Sequence, residues 1–218
     1  MATRVIDDTK LQNIAVAIQG RDSGGTMTVD EMPTRIAAIP AQGDTVLDSL
    51  ISRNMTSIES DVTSVGISAF TKCSNLTSAI LSKATALGVS AFDGCIRLVN
   101  IEIPKVATVN ASCFYDNLYL PRIFLQSVTA LNGIQIFRDC SRLTAVVMGK
   151  RATLANANSF TGANSAIIYV QPDDLSWYST ATNWSTLYAN NRIKSVSELT
   201  GGDLTWYQQQ LAKYPEEE

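Results

Sequence analysis

The 218-residue chain contains no histidine. That removes the side chain most often used for proton transfer near neutral pH, and every hydrolytic triad built on imidazole. It also removes the usual nitrogen ligand of zinc, and the four cysteines form no C-x-x-C pair. Charge is sparse: Asp, Glu, Lys and Arg make up 17% of the residues, with a net charge of −3. No Lys/Arg run exists that could track a phosphate backbone, which argues against nucleic-acid binding. No apolar stretch approaches the roughly 20 residues needed to span a bilayer, so membrane insertion is not expected. The start, Met1-Ala-Thr-Arg-Val-Ile-Asp-Asp, lacks the apolar core of a signal peptide, and the expectation is a chain that folds in the cytoplasm. Phosphate-binding glycine loops are missing; Gly24-Gly25 and Gly201-Gly202 sit in polar segments and read as turns. The acidic pairs Asp7-Asp8 and Asp173-Asp174 are adjacent in sequence and suit the positive ends of helices. Neither an enzyme, nor a cofactor, nor a metal site is expected.

What the chain has is a ruler of phenylalanines. Phe70, Phe92, Phe114, Phe137 and Phe160 recur at steps of 22, 22, 23 and 23 residues. Six residues after the first four stand Leu76, Leu98, Leu120 and Leu143, each opening a short apolar run. Self-similarity at this period marks a solenoid, in which each unit buries its apolar face only against its neighbours. A second apolar cluster lies in each unit, as in Ala84-Thr-Ala-Leu87 and Val128-Thr-Ala-Leu131. Nothing in a unit sustains a helical period. The expectation is therefore a mainly β solenoid: a strand, a turn, a second short strand, and a turn carrying the phenylalanine. Cys73, Cys95 and Cys140 stand three residues after a ruler phenylalanine, where Asn117 and Ala163 replace them in the other units. Cys113 takes the place of Ala69 and Ala91. A position shared with Asn and Ala reads as a small buried filler and not as half of a disulfide.

The flanks differ. Over residues 1–43, Leu11, Ile14 and Ile18, then Met32, Ile36 and Ile39, follow helical spacing, with Thr28-x-x-Glu31 in capping-box form. Two helices this short are not stable alone in water, so their apolar stripes must pack elsewhere, preferentially on copies of themselves or on another protein. The solenoid is assigned to residues 44–170. Residues 171–199 carry Leu175, Trp177, Tyr178, Trp184 and Leu187 and are assigned to a helical cap over the open last repeat. Residues 200–218, ending in three glutamates, read as a solvated tail.

Ala69-Phe-Thr-Lys-Cys-Ser-Asn-Leu76 and Ala91-Phe-Asp-Gly-Cys-Ile-Arg-Leu98 resemble the repeat core of BspA-type leucine-rich repeat proteins. The resemblance covers roughly residues 50–170. It implies a right-handed solenoid with a parallel sheet, a role in recognition or adhesion, and no catalytic residues. Residues 10–39, with Leu11-Gln-Asn-Ile-Ala-Val-Ala-Ile18 and Thr28-Val-Asp-Glu-Met-Pro33, are similar to the N-terminal segment of structural proteins from tailed bacteriophages. Together they imply a virion protein of the tail tip, baseplate or fibre, made in the host cytoplasm and partnered by other virion proteins, by copies of itself and by a host surface receptor. A cell-surface BspA-like adhesin of a bacterium is the alternative.

One surface stands out from the strand pattern. In Leu98-Val-Asn-Ile-Glu-Ile103, Ile101 and Ile103 point inward, so Glu102 points out. Carried to the other units, the outward column reads Ile80, Glu102, Phe124, Val147 and Tyr169, with Arg122 in the column beside it. Four apolar members in five make this either a contact surface or a column that serves the sheet by cross-strand pairing. The pattern leaves both readings open.

Overall fold

A computed structural model describes residues 5–6 and 55–215. The helices expected over residues 1–43, with Leu11, Ile14, Ile18, Met32, Ile36 and Ile39, lie outside the described residues. Two strand columns run through the repeats. The first comprises β2 (Ser57–Ser60), β4 (Ser78–Leu81), β6 (Asn100–Glu102), β8 (Arg122–Leu125), β10 (Ala145–Met148) and β12 (Ile167–Val170). The second comprises β3 (Ser64–Val65), β5 (Ala86–Leu87), β7 (Thr108–Asn110), β9 (Ala130–Asn132) and β11 (Thr153–Leu154). All pairings are parallel, and each is shifted by one repeat, as in Ala79 with Ile101 and Leu87 with Val109. The repeats thus form a stack of two-stranded units. At its ends the first column gains β1 (Val5–Ile6) beside β2 and β13 (Ile193–Ser195) beside β12.

Inside the stack the ruler phenylalanines form a continuous ladder. Ring centroids of Phe70, Phe92, Phe114, Phe137 and Phe160 follow one another at 5.0, 5.8, 5.4 and 5.3 Å, with planes within 20° of parallel. All five are buried. Offset stacks of this kind add to the burial each ring contributes.

The turn that carries each phenylalanine is built from alternating backbone conformations. Two residues before it, Ser68, Ser90, Ser112 and Gln135 have φ between 53° and 62°. Two residues after it, Lys72, Gly94, Asp116, Asp139 and Gly162 have φ between 56° and 80°. Glycine enters this left-handed region at little cost and aspartate more readily than most, while Ser, Gln and Lys hold it here because the turn requires it. The reward is hydrogen bonding between units. Ser90, Phe92 and Gly94 donate their N–H groups to the carbonyls of Ala111, Cys113 and Tyr115 in the next repeat, at 2.9 Å each. The ladder of parallel bonds thus passes through the turn, so its buried polar groups are satisfied.

The column three residues after phenylalanine adds a side-chain bond to this ladder. Cys95 Sγ donates to the Phe70 carbonyl and Cys140 Sγ to that of Phe114, at 3.0 Å each; Asn117 Nδ2 donates to that of Phe92 at 2.8 Å. Cys and Asn alternate here because both are small donors, which refines the reading of this position as filler. None of the four cysteines forms a disulfide, and all four are buried.

At one place in the described repeats the chain has no donor to give. Seven residues after phenylalanine, Thr77, Val99, Thr144 and Ile167 donate to the unit before. The third unit has Pro121 at that place, and proline has no N–H. The first strand column splits there into β1-β2-β4-β6 and β8-β10-β12-β13, although β6 and β8 remain neighbours. The second column is unbroken.

After β12 come helices α1 (Leu175–Thr180) and α2 (Trp184–Ala189). Trp184 lies 6.2 Å from the Phe160 ring and donates through Nε1 to the Ala152 carbonyl at 2.7 Å. Tyr178 hydroxyl donates to the Lys150 carbonyl, and Asn183 Nδ2 to that of Leu154. Asp174, at the start of α1, accepts from Arg151 Nε at 2.6 Å, a partner its adjacent-pair pattern did not reveal. The segment 200–218 differs from the expected tail: Gly201–Lys213 form helix α3, of 13 residues.

Two outcomes test the ladder. Phe92→Ala should destabilise the protein by about 3–5 kcal/mol, the usual cost of truncating a buried phenylalanine, as read from denaturant melts. Burial lifts the thiols of Cys95 and Cys113 far above their ordinary value and pushes Cys140 up to about 12. The native state therefore keeps these protons, while the unfolded chain gives them up near the ordinary pKa of 9.0. Stability should fall as pH rises above that value, and folded protein at pH 8 should react with a thiol reagent only after unfolding.

Candidate functional site

The register read from the sequence is the register of the strands: Ile80 pairs with Glu102, Val147 with Phe124 and with Tyr169. Those side chains point away from the main core, yet most of them are not open. Helix α3 lies across them. Phe124, at 6% exposure, and Val147, at 0%, join Leu199 and Tyr207 in a second small core, with Tyr169, Val196, Leu204 and Trp206 packed around it. Phe124 meets the Tyr207 ring edge-on at 5.4 Å. Arg122 donates to Asp203 at 2.9 Å and to the Gly202 carbonyl at 3.1 Å, and its guanidinium lies over the Trp206 ring. Only Ile80 stays outside this cluster, half-buried. Of the column proposed as a contact surface, Arg122, Phe124, Val147 and Tyr169 are therefore covered by the chain's own C-terminal helix, and Ile80 is not.

The far end of α3 crosses the Pro121 break. Lys213 Nζ and the Tyr214 hydroxyl both donate to Glu102 Oε2, on β6, while Gln126 Nε2, just past β8, donates to the Tyr214 carbonyl at 2.8 Å. Glu102 is 8% exposed, and a carboxylate at such depth requires partners of this kind. The carboxylate and the surrounding burial in turn raise the Tyr214 phenol well above its ordinary pKa, burial being the larger cause. The helix was legible in principle: Leu204, Tyr207 and Leu211 keep helical spacing behind Thr200. The terminal glutamates outweighed that signal.

Among the described residues, most of the large exposed apolar side chains lie on the phenylalanine turns, with Tyr188 on α2 and Leu211 on α3 apart from them. Three residues before each phenylalanine stand Ile67, Val89, Ala111, Ile134 and Ala157. Ile67, Val89 and Ile134 are 51%, 42% and 50% exposed. The left-handed residue that follows each of the first four turns the chain inward, leaving the preceding side chain outside. On the other edge of the turns Val99 and Tyr119 are also exposed. Sequence reading had no assignment for this ridge, because Ile-Ser-Ala-Phe and Val-Ser-Ala-Phe look like continuous core. Among the described residues no group of three or more His, Cys, Asp or Glu side chains is gathered as a metal would need, and no helix is long and apolar enough to cross a membrane.

If α3 is a seated helix, Phe124→Glu should force a carboxylate against Tyr207 and Leu199. The variant should lose about 2–5 kcal/mol in thermal or denaturant unfolding, and Trp206 fluorescence should shift to the red as the helix lifts.

No curated protein matches the sequence. Among solved structures, a leucine rich repeat protein of T. pallidum is 23% identical, with a TM-score of 0.50 over 56% of this chain and 60% of that one. A leucine rich cell surface protein of Faecalibacterium prausnitzii A2-165 is 21% identical, with a TM-score of 0.39 over 53% of this chain and 39% of that one. The pneumococcal vaccine antigen PcpA is 16% identical, with a TM-score of 0.36 over 66% and 38%. The chain spans less than two thirds of each of these proteins, and at such identity the likeness concerns the fold alone. Residues 49–167 match the BspA type leucine rich repeat region in six copies, and the chain belongs to that family.

Proposed function

We propose that this chain is a non-enzymatic recognition or adhesion protein whose repeats wind into a right-handed solenoid capped by the helices after Val170. One observation carries the reading. The backbone ladder, the thiols and the strand face are all committed to contacts within the chain, whereas the turns hold Ile67, Val89 and Ile134 out to solvent as a regular ridge. A spaced apolar ridge on a rigid stack suits a partner surface better than a small substrate. On the similarity of residues 10–39 we assign the protein to a phage particle, at the tail tip, baseplate or fibre. Leu11, Ile14, Ile18, Met32, Ile36 and Ile39 would attach it to other virion proteins or to its own copies, and the solenoid would face a host surface receptor. A bacterial surface adhesin is the second reading, which membership of the BspA-type family supports equally.

The test combines location with attachment. Immunogold labelling should find the protein on purified phage particles; label confined to the bacterial surface selects the adhesin. In either setting, Val89→Lys with Ile134→Lys should cut attachment at least tenfold while leaving the melting temperature within about 2 °C, because exposed substitutions rarely change stability by more than ~0.5 kcal/mol. Unchanged attachment would remove the ridge from the reading.

A further inference from the structure

Three features converge on the other edge of the phenylalanine turns. Five residues after each phenylalanine the column reads Asn75, Arg97, Tyr119, Arg142 and Ser165. Two residues on, in the adjoining column, stand Val99 and Pro121. Tyr119 is 44% exposed and Val99 48%, so an aromatic ring and an apolar side chain face solvent from neighbouring repeats.

The second feature is charge. Among the described arginines, Arg122, Arg138 and Arg151 pair with carboxylates, and Arg192 donates to the Ala163 and Ala166 carbonyls. Arg97 and Arg142, which flank Tyr119 in its column, have only neutral partners. Arg97 Nη1 donates to Asn75 Oδ1 at 3.4 Å, and the Arg142 guanidinium lies 4.2 Å from the Tyr119 ring centre. Both side chains are exposed. Their contacts hold the guanidinium groups in place without neutralising them, and a guanidinium fork matches a carboxylate or sulfate.

The third is the break in the ladder. Because Pro121 has no N–H, the Val99 carbonyl lacks the donor that its counterparts Thr56, Thr77 and Thr144 receive from the next unit. An acceptor is thus freed beside two sets of donors and an aromatic face. A charged groove for a bare polyanion would need the arginines alone. An extended acidic peptide would seek a sheet edge, and both neighbours of this position are the chain's own repeats.

We propose that Arg97, Val99, Tyr119 and Arg142 form a binding site for an acidic carbohydrate. A sugar ring lies against Tyr119 and Val99, its acid group meets the arginines, and a ring hydroxyl donates to the Val99 carbonyl. The proposal rests on the adhesion reading and names its ligand class.

Isothermal titration of the full-length protein decides it, with four probes of matched length: oligogalacturonate, a heparin-derived oligosaccharide, a neutral galactan oligosaccharide and polyglutamate. Binding of either acidic glycan, at least tenfold tighter than the neutral one and polyglutamate, is the expected result; which of the two wins tells carboxylate from sulfate. Arg97→Gln with Arg142→Gln should weaken that binding at least tenfold. Tyr119→Ala should do the same, and Pro121→Thr, which restores the N–H, should weaken it several-fold. Arg151→Gln should leave binding unchanged, and the Arg97, Arg142 and Tyr119 variants should stay folded, with Pro121→Thr melting at or above the wild type. Absence of binding to both acidic glycans overturns the proposal, as does polyglutamate binding equally well with Tyr119→Ala unaffected. Attachment of the full-length protein to cells, measured alongside, separates the two ideas. Attachment that survives Arg97→Gln with Arg142→Gln removes this site but keeps adhesion, whereas a wild type that never attaches removes adhesion.

Discussion

The bond that each phenylalanine turn gives to the next repeat is the constraint from which the rest of the structure follows. A turn ordinarily ends a parallel ladder, since its N–H groups point in several directions. Here a left-handed residue on either side of the phenylalanine aligns three donors toward one neighbour, and the units can stack on all sides. The spacing of the rings, the burial of the thiols and the direction of the apolar ridge are consequences of that alignment. It also explains why a period of 22 can become 23 without harm. In the fourth and fifth repeats the added residue falls between the second strand and the turn, at Gly133 and Asn156, and the bonds from the Phe114 and Phe137 N–H groups to Ile136 and Ser159 are kept.

Much of this was legible. The phenylalanine and leucine columns report a burial that repeats unit by unit, and burial is what sequence periodicity records best. Strand register followed directly, because Ile101 and Ile103 could not both face out. What escaped was of two kinds. Left-handed backbone at Ser68, Ser90 and Ser112 is compatible with serine but not demanded by it, so the outward ridge had no sequence marker. Helix α3 depended on a contact between residues some 80 positions apart, such as Arg122 with Asp203, and no local pattern carries information of that range. Within 200–218 the local charge argument failed for the helix over Gly201–Lys213. The exchange of Cys for Asn was read correctly as small and buried, while the shared donor role became clear only when the carbonyl above it was in place.

Pro121 and α3 together alter how such a stack holds itself. In a linear array each unit feels only the two beside it, and total stability is close to a sum of nearest-neighbour terms. Losing the bond that Pro121 cannot make weakens one of those terms, and a plain array would be weakest there, between an N-terminal and a C-terminal block. Helix α3 supplies a coupling of longer range. One end is held by Arg122 and Phe124 beyond the gap, the other by Glu102 before it, so the two blocks share a splint. A force that reaches the C-terminal block through residues beyond Val170 therefore passes along the helix into the second repeat, and the interrupted sheet bears load as one body.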